Sequence, residues 1–121
     1  MNTVMLIGRL TADPEVRESQ NGTVTSFTLA VDRQKGEADF IRCVAFGKTA
    51  ENVMKYSGKG LRAAVQGSIR TGSYTNKNGD KVYTTDVNAF RVEFLDWKEK
   101  QIQETQIRAA SFEEVTEDLP F

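Results

Sequence analysis

The chain has 121 residues, 39% of them apolar and 27% charged, which suits one compact domain with an appendage. It has no histidine and one cysteine, Cys43, so hydrolytic and metal-dependent chemistry start at a disadvantage, no internal disulfide can form, and no enzyme, metal or cofactor site is expected. The net charge of −1 hides a split: residues 1–95 hold 13 Lys/Arg against 10 Asp/Glu and residues 96–121 hold 3 against 7, a mildly basic body for a polyanion ahead of an acidic end for a basic partner.

No apolar run has the length to span a bilayer, and Met1 to Val4 leads straight into an alternating segment rather than a signal peptide. A lone cysteine fits a reducing cytoplasm. Residues 3–10 predict a strand, with Val4, Leu6 and Leu10 on one side and Met5, Ile7 and Arg9 on the other. Asn21-Gly22 is a turn signal before a second strand, Thr23 to Asp32, in which Phe27, Leu29 and Val31 alternate with Ser26, Thr28 and Ala30. A polar loop, Arg33 to Ala38, leads to a third strand, Asp39 to Phe46. Residues 48–56 form the one good helical stretch, stopped by Ser57-Gly58-Lys59-Gly60. A long strand from Leu61 to Thr71 follows, with Leu61, Ala63, Val65 and Ile69 expected on its inner side. Asn78-Gly79 predicts a hairpin tip, and Lys81 to Leu95 returns as the last strand. There the apolar phase jumps from Val87 and Ala89 to Val92 and Phe94, which predicts a bulge near Phe90-Arg91. Three strands, a short helix and two long strands is the order of the oligonucleotide-binding (OB) barrel: all-β, five strands, one helix between strands 3 and 4. The barrel domain is expected over 1–97. Residues 98–121, with few large apolar groups, are expected to form a disordered acidic tail.

The third strand carries the informative pattern. Alternation puts Ile41, Cys43 and Ala45 inside and Phe40, Arg42, Val44 and Phe46 on the other face. Two rings with a guanidinium between them are the parts of a single-strand binding platform, since bases stack on rings and arginine meets phosphate. Tyr74 and Tyr83 flank a hairpin tip that carries Lys77 and Lys81, which suits either a clamp on flexible nucleic acid or cross-strand packing. Gly47-Lys48-Thr49 resembles the end of a phosphate-binding loop, but Arg42 stands where that motif needs glycine. Cys43, mid-strand on the apolar side, reads as packing rather than as a nucleophile. At the far end, Glu117-Asp118-Leu119-Pro120-Phe121 sets two acids before a proline and an aromatic. That combination is suited to a partner with an apolar pocket and basic groups.

These stretches in their order resemble the bacterial-type single-stranded DNA-binding (SSB) family. The matching segments include Gly8-Arg9-Leu10, Asp13-Pro14-Glu15-Val16-Arg17, Phe27-Thr28-Leu29-Ala30-Val31, Ala38 to Phe46, Ala50-Glu51-Asn52-Val53, Gly67-Ser68-Ile69-Arg70-Thr71, Tyr83-Thr84-Thr85-Asp86-Val87 and the closing Leu119-Pro120-Phe121. The resemblance implies sequence-independent binding of single-stranded DNA by a homotetramer, in a cytoplasmic, nucleoid-associated setting. It also implies recruitment of replication, recombination and repair proteins through the tip, Glu117 to Phe121. It places the stacking rings on Phe40, Phe46 and Tyr74. Phosphate contacts fall on Arg42, Lys48, Arg62 and Arg70, with Arg9, Lys35, Lys77 and Lys81 as further candidates. Subunits would pair through Val4 to Arg9, and the outward row Arg62, Ala64, Gln66 and Ser68 would lie where dimers meet. The loop Arg33 to Ala38 lacks the aromatic that relatives carry before Phe40, and Gly72-Ser73 lacks basic residues; both imply weaker binding per site. The short tail resembles phage, plasmid and accessory forms. The rival reading from the residues alone is an OB barrel used for protein contact in a replication-restart assembly.

Overall fold

A computed structural model of the protein describes residues 1–98. Its strands are β1 (Val4–Leu10), β2 (Glu15–Ser19), β3 (Gly22–Asp32), β4 (Ala38–Phe46), β5 (Arg62–Thr75) and β6 (Lys81–Phe94), with helix α1 (Gly47–Tyr56) between β4 and β5. They form one sheet in the order β1-β5-β6-β4-β3-β2, and a β1–β3 pairing closes it into a barrel. Neighbours run antiparallel except β4 and β6, whose parallel register Cys43–Val87, Val44–Asn88 and Ala45–Ala89 supplies the crossover. Five strands make the expected OB barrel, with the helix in its expected place. The sixth, β2, pairs only with β3 and was not anticipated. All five of its residues are exposed, so it carries no alternation to read, and the turn at Asn21-Gly22 was its one sign.

The core is narrow because its inward residues are small. Cys43, Ala45, Ala63 and Ala89 interleave with Leu10, Phe27, Leu29, Val65 and Val87, and Ala50 and Val53 of α1 join them. The buried Thr25 hydroxyl donates to the Ala50 carbonyl at 3.1 Å, tying the helix to β3. Two glycines let the strands approach. A Cβ on Gly67 would lie 2.2 Å from the Asn88 carbonyl oxygen, and one on Gly8 would lie 2.5 Å from that of Ala30. Gly67 also marks the predicted bulge: Gln66 pairs with Arg91 and Gly67 with Ala89, leaving Phe90 as the extra residue.

Past the Ile69–Val87 pair, where β6 still meets Cys43 of β4, β5 and β6 continue as a two-stranded arm. This corrects the expectation for Ile69, which keeps the inward phase yet is 46% exposed, because the β1–β5 pairing ends at Gly67, two residues before it. The Asn2 side chain steadies the base of the arm, donating to the Ile69 carbonyl at 2.9 Å and accepting from the Ile69 amide at 2.8 Å. Among the described residues no helix is long and apolar enough to cross a membrane. The acidic tail and its tip, Glu117 to Phe121, lie outside the described residues.

Candidate nucleic-acid interface

Register builds the site from four strands. The outward residues of β4 are Phe40, Arg42, Val44 and Phe46, opposite Ala30, Thr28, Ser26 and Val24 of β3. On the other side Val44 meets Asn88 of β6, and Asn88 meets Ser68 of β5. Two residues along, Asp86 pairs with Arg70, and the Arg42 guanidinium lies 3.8 Å from the Asp86 carboxylate. A row Arg42–Asp86–Arg70 therefore crosses the middle of the face. Phe40, 69% exposed, and Phe46, 54% exposed, stand at either end of β4. Six residues of strand separate them by roughly 20 Å.

Tyr74 completes this face. It sits opposite Val82, in the same outward phase as Ser68, Arg70 and Gly72, and is 57% exposed. Tyr83 sits opposite Ser73 and projects on the other side of the arm, together with Lys81, whose Nζ lies 5.5 Å from the Tyr83 ring centroid. The two tyrosines are thus not a cross-strand pair: one residue of register separates them, which reverses the side. Alternation alone could not settle this, because the hairpin's register was not legible in the sequence.

The predicted cations divide. Arg70 has no ion pair among the described residues, nor do Lys35, in the turn between β3 and β4, and Lys77, at the hairpin tip. Lys48 opens α1 beside Phe46 and is loosely placed, 3.9 Å from Glu51. Arg9 and Arg62 face each other in the β1–β5 ladder, on the outward surface away from Phe40. Both are engaged there. Arg9 donates to the Gly60 carbonyl at 3.0 Å, and Arg62 makes a two-pronged contact with Asp96 at 2.9 and 3.1 Å. The hydrogen bond to Asp96 and then its charge raise the Arg62 pKa further. Near them Met5, Leu6, Ile7, Ala64 and Gln66 line a shallow, mostly apolar cavity closed by Arg91 and Glu93, with Met5 and Ile7 well exposed.

Cys43 lies directly beneath the platform. Burial, and secondarily the charge of Asp86, push its thiol up to about 12, so it stays a neutral packing group. Sequence reading passed over two residues of the face. Asp86 has no hydrophobic or motif signal until the ladder sets it between two arginines. Phe90 is exposed, and its signal was the phase jump in β6.

The model of the single-strand binding protein family matches residues 1–95. The chain belongs to that family. Its members are binding proteins, not enzymes. A single-stranded DNA-binding protein of Clostridium perfringens is 56% identical over 100 residues, covering 79% of this chain and 67% of its own. One from Staphylococcus aureus (strain MRSA252) is 44% identical over 123 residues, covering 88% of this chain and 79% of its own. Single-stranded DNA-binding protein 2 of S. aureus (strain COL) is 44% identical over 138 residues, covering 100% of this chain and 99% of its own.

Proposed function

We propose that this protein binds single-stranded DNA without regard to sequence, protecting and organising strands exposed in replication, recombination and repair. The observation that carries the reading is the shared outward face of Phe40, Arg42, Phe46, Arg70 and Tyr74, three exposed rings with arginines between them. Bases stack on such rings at about 1–3 kcal/mol each, whatever the base, and the arginines, with Lys48, Lys35 and Lys77, take phosphates. A duplex keeps its bases stacked inside and cannot use the rings. The exposed Met5 and Ile7, beside Ala64 and Gln66, offer a second copy of the chain a surface, in keeping with a homotetramer. The acidic segment ending Leu119-Pro120-Phe121 competes weakly with DNA for the basic face and, once displaced, docks replication, recombination or repair proteins.

Anisotropy of a labelled thymine oligonucleotide, set against a duplex of equal length across a salt series, tests the reading. Tight, saturable binding to the single strand with far weaker duplex binding is expected. Equal or negligible binding to both overturns it in favour of a protein-contact barrel. Deleting Glu113 to Phe121 is expected to tighten DNA binding at low salt and to abolish partner capture; if both stay as in the full chain, the role of the tip is wrong.

A further inference from the structure

Phe90 is 56% exposed, and with Tyr83 on the arm it is one of two large apolar groups that β6 turns to solvent. The bulge puts it there. Ala89 is buried and Val92 half-buried, so the two residues between them, Phe90 and Arg91, both project outward. The parallel ladder with β4 steps through Cys43–Val87, Val44–Asn88 and Ala45–Ala89, and Phe46 and Phe90 are the residues that follow its last pair on the two strands. Adjacent strands lie about 4.8 Å apart at that last pair, so both rings are carried from neighbouring backbone positions. The backbone at Phe90 is held from outside the ladder: the Thr49 hydroxyl of α1 donates to its carbonyl at 3.4 Å. Lys48, the residue before Thr49, is exposed and only loosely engaged.

We propose that Phe90 is a further base-stacking residue: single-stranded DNA leaving Phe46 crosses from β4 to β6 and places its next base on the Phe90 ring, with Lys48 on the adjoining phosphate. The proposal rests on the reading of the β4 face as the DNA site and extends that site by one strand. An exposed ring contributes little to folding, since apolar area stabilises a fold only when it leaves water. Two rings on neighbouring strands beside an available lysine fit a nucleic-acid track, because base stacking tolerates any base and the lysine supplies the counter-charge.

The test uses thymine oligonucleotides of increasing length with the full chain and three variants: Phe90→Ala, Phe90→Tyr, and Phe40→Ala as the measure of the underlying reading. Phe90→Ala is expected to weaken binding about 5- to 50-fold for oligonucleotides long enough to pass Phe46. It should leave the shortest bound oligonucleotides and the salt slope unchanged, because the ring carries no charge, and Phe90→Tyr should restore affinity. If Phe90→Ala binds as the unaltered protein does at every length while Phe40→Ala is weakened, the Phe90 assignment fails and the DNA reading stands. If neither variant is weakened, both fail. A fall in melting temperature or in assembly mass for Phe90→Ala, with DNA affinity intact, overturns the assignment in favour of packing.

Discussion

The barrel shows two outward faces built partly from the same strands, and they differ in how their cations are held. On the β4 face Arg70 has no ion pair among the described residues, Arg42 reaches Asp86 only at 3.8 Å, and Lys48 stands 3.9 Å from Glu51. On the β1 face each arginine is engaged: Arg9 with the Gly60 carbonyl, Arg62 with Asp96, and Arg91 with Glu93 at 2.8 Å. The exposed apolar groups differ as well, rings on the first face and the aliphatic Met5 and Ile7 on the second. A surface of rings and available cations suits a flexible polyanion. One of aliphatic groups with its arginines engaged suits a copy of the chain. Charge count alone would have treated the two alike.

Gly67 sits at the boundary, where the bulge turns the β5–β6 ladder from one face to the other. Gly67→Ala would drive a Cβ into the Asn88 carbonyl, and backbone cannot yield as a flexible side chain would. The expected cost is about 3 kcal/mol or more, and both faces should be lost together. Urea unfolding measures it. A stable variant that retains either face would show that the boundary is not structural.

A smaller change should separate the faces. Ile7→Glu places a charge in the aliphatic surface, outside the core, since Ile7 points away from the buried Leu10 phase of β1. Light scattering is expected to report smaller assemblies, with the β4 face still able to bind a short thymine oligonucleotide. Unchanged mass would remove the second copy from the β1 face.

Much of this division was legible in the sequence. Strict alternation in β1, β3 and β4 fixed which residues point outward, because a strand has only two sides. The bulge at Phe90 was legible as a broken phase. What alternation cannot give is register between strands. That is why Tyr74 and Tyr83 read as a pair; the resemblance likewise set Arg62 beside Arg70 as an equal phosphate candidate, whereas the ladder sets them on opposite sides of the bulge. Ile69 misled for a related reason: its phase is inward, but the pairing of β1 with β5 ends at Gly67, before it. Strand β2 was silent because no face of it is buried.

The arginines give a finer test. Arg70→Ala is expected to lower the slope of log affinity against log salt by about 0.7, the share of one phosphate contact on a single strand. Arg62→Ala is expected to leave that slope alone and to lower the melting temperature slightly, because its partner is Asp96. The opposite pattern would move the DNA path to the β1 face.

The smallest expected effect concerns Asp86. Its carboxylate lies 3.8 Å from Arg42 and opposite Arg70 in the ladder, so on the proposed DNA path it would oppose a phosphate while holding Arg42 in place. Asp86→Asn is expected to tighten binding about five-fold at low salt, as one charge at about 4 Å in a wet surface is worth roughly 1 kcal/mol, and the gain should shrink as salt rises. Cys43 provides an independent readout of the same charge. Its thiol pKa in the fold, about 12, lies above the ordinary 9.0. The stability from keeping it neutral is therefore present below pH about 9 and lost as pH climbs towards the raised value. Removing the Asp86 charge should lower the upper end of that window without making the thiol reactive at neutral pH, because burial is the larger cause. Tighter DNA binding without any change at Cys43 would mean that the carboxylate acts on the phosphates alone. A loss of affinity would mean that Asp86 matters more for placing Arg42 than for opposing the DNA.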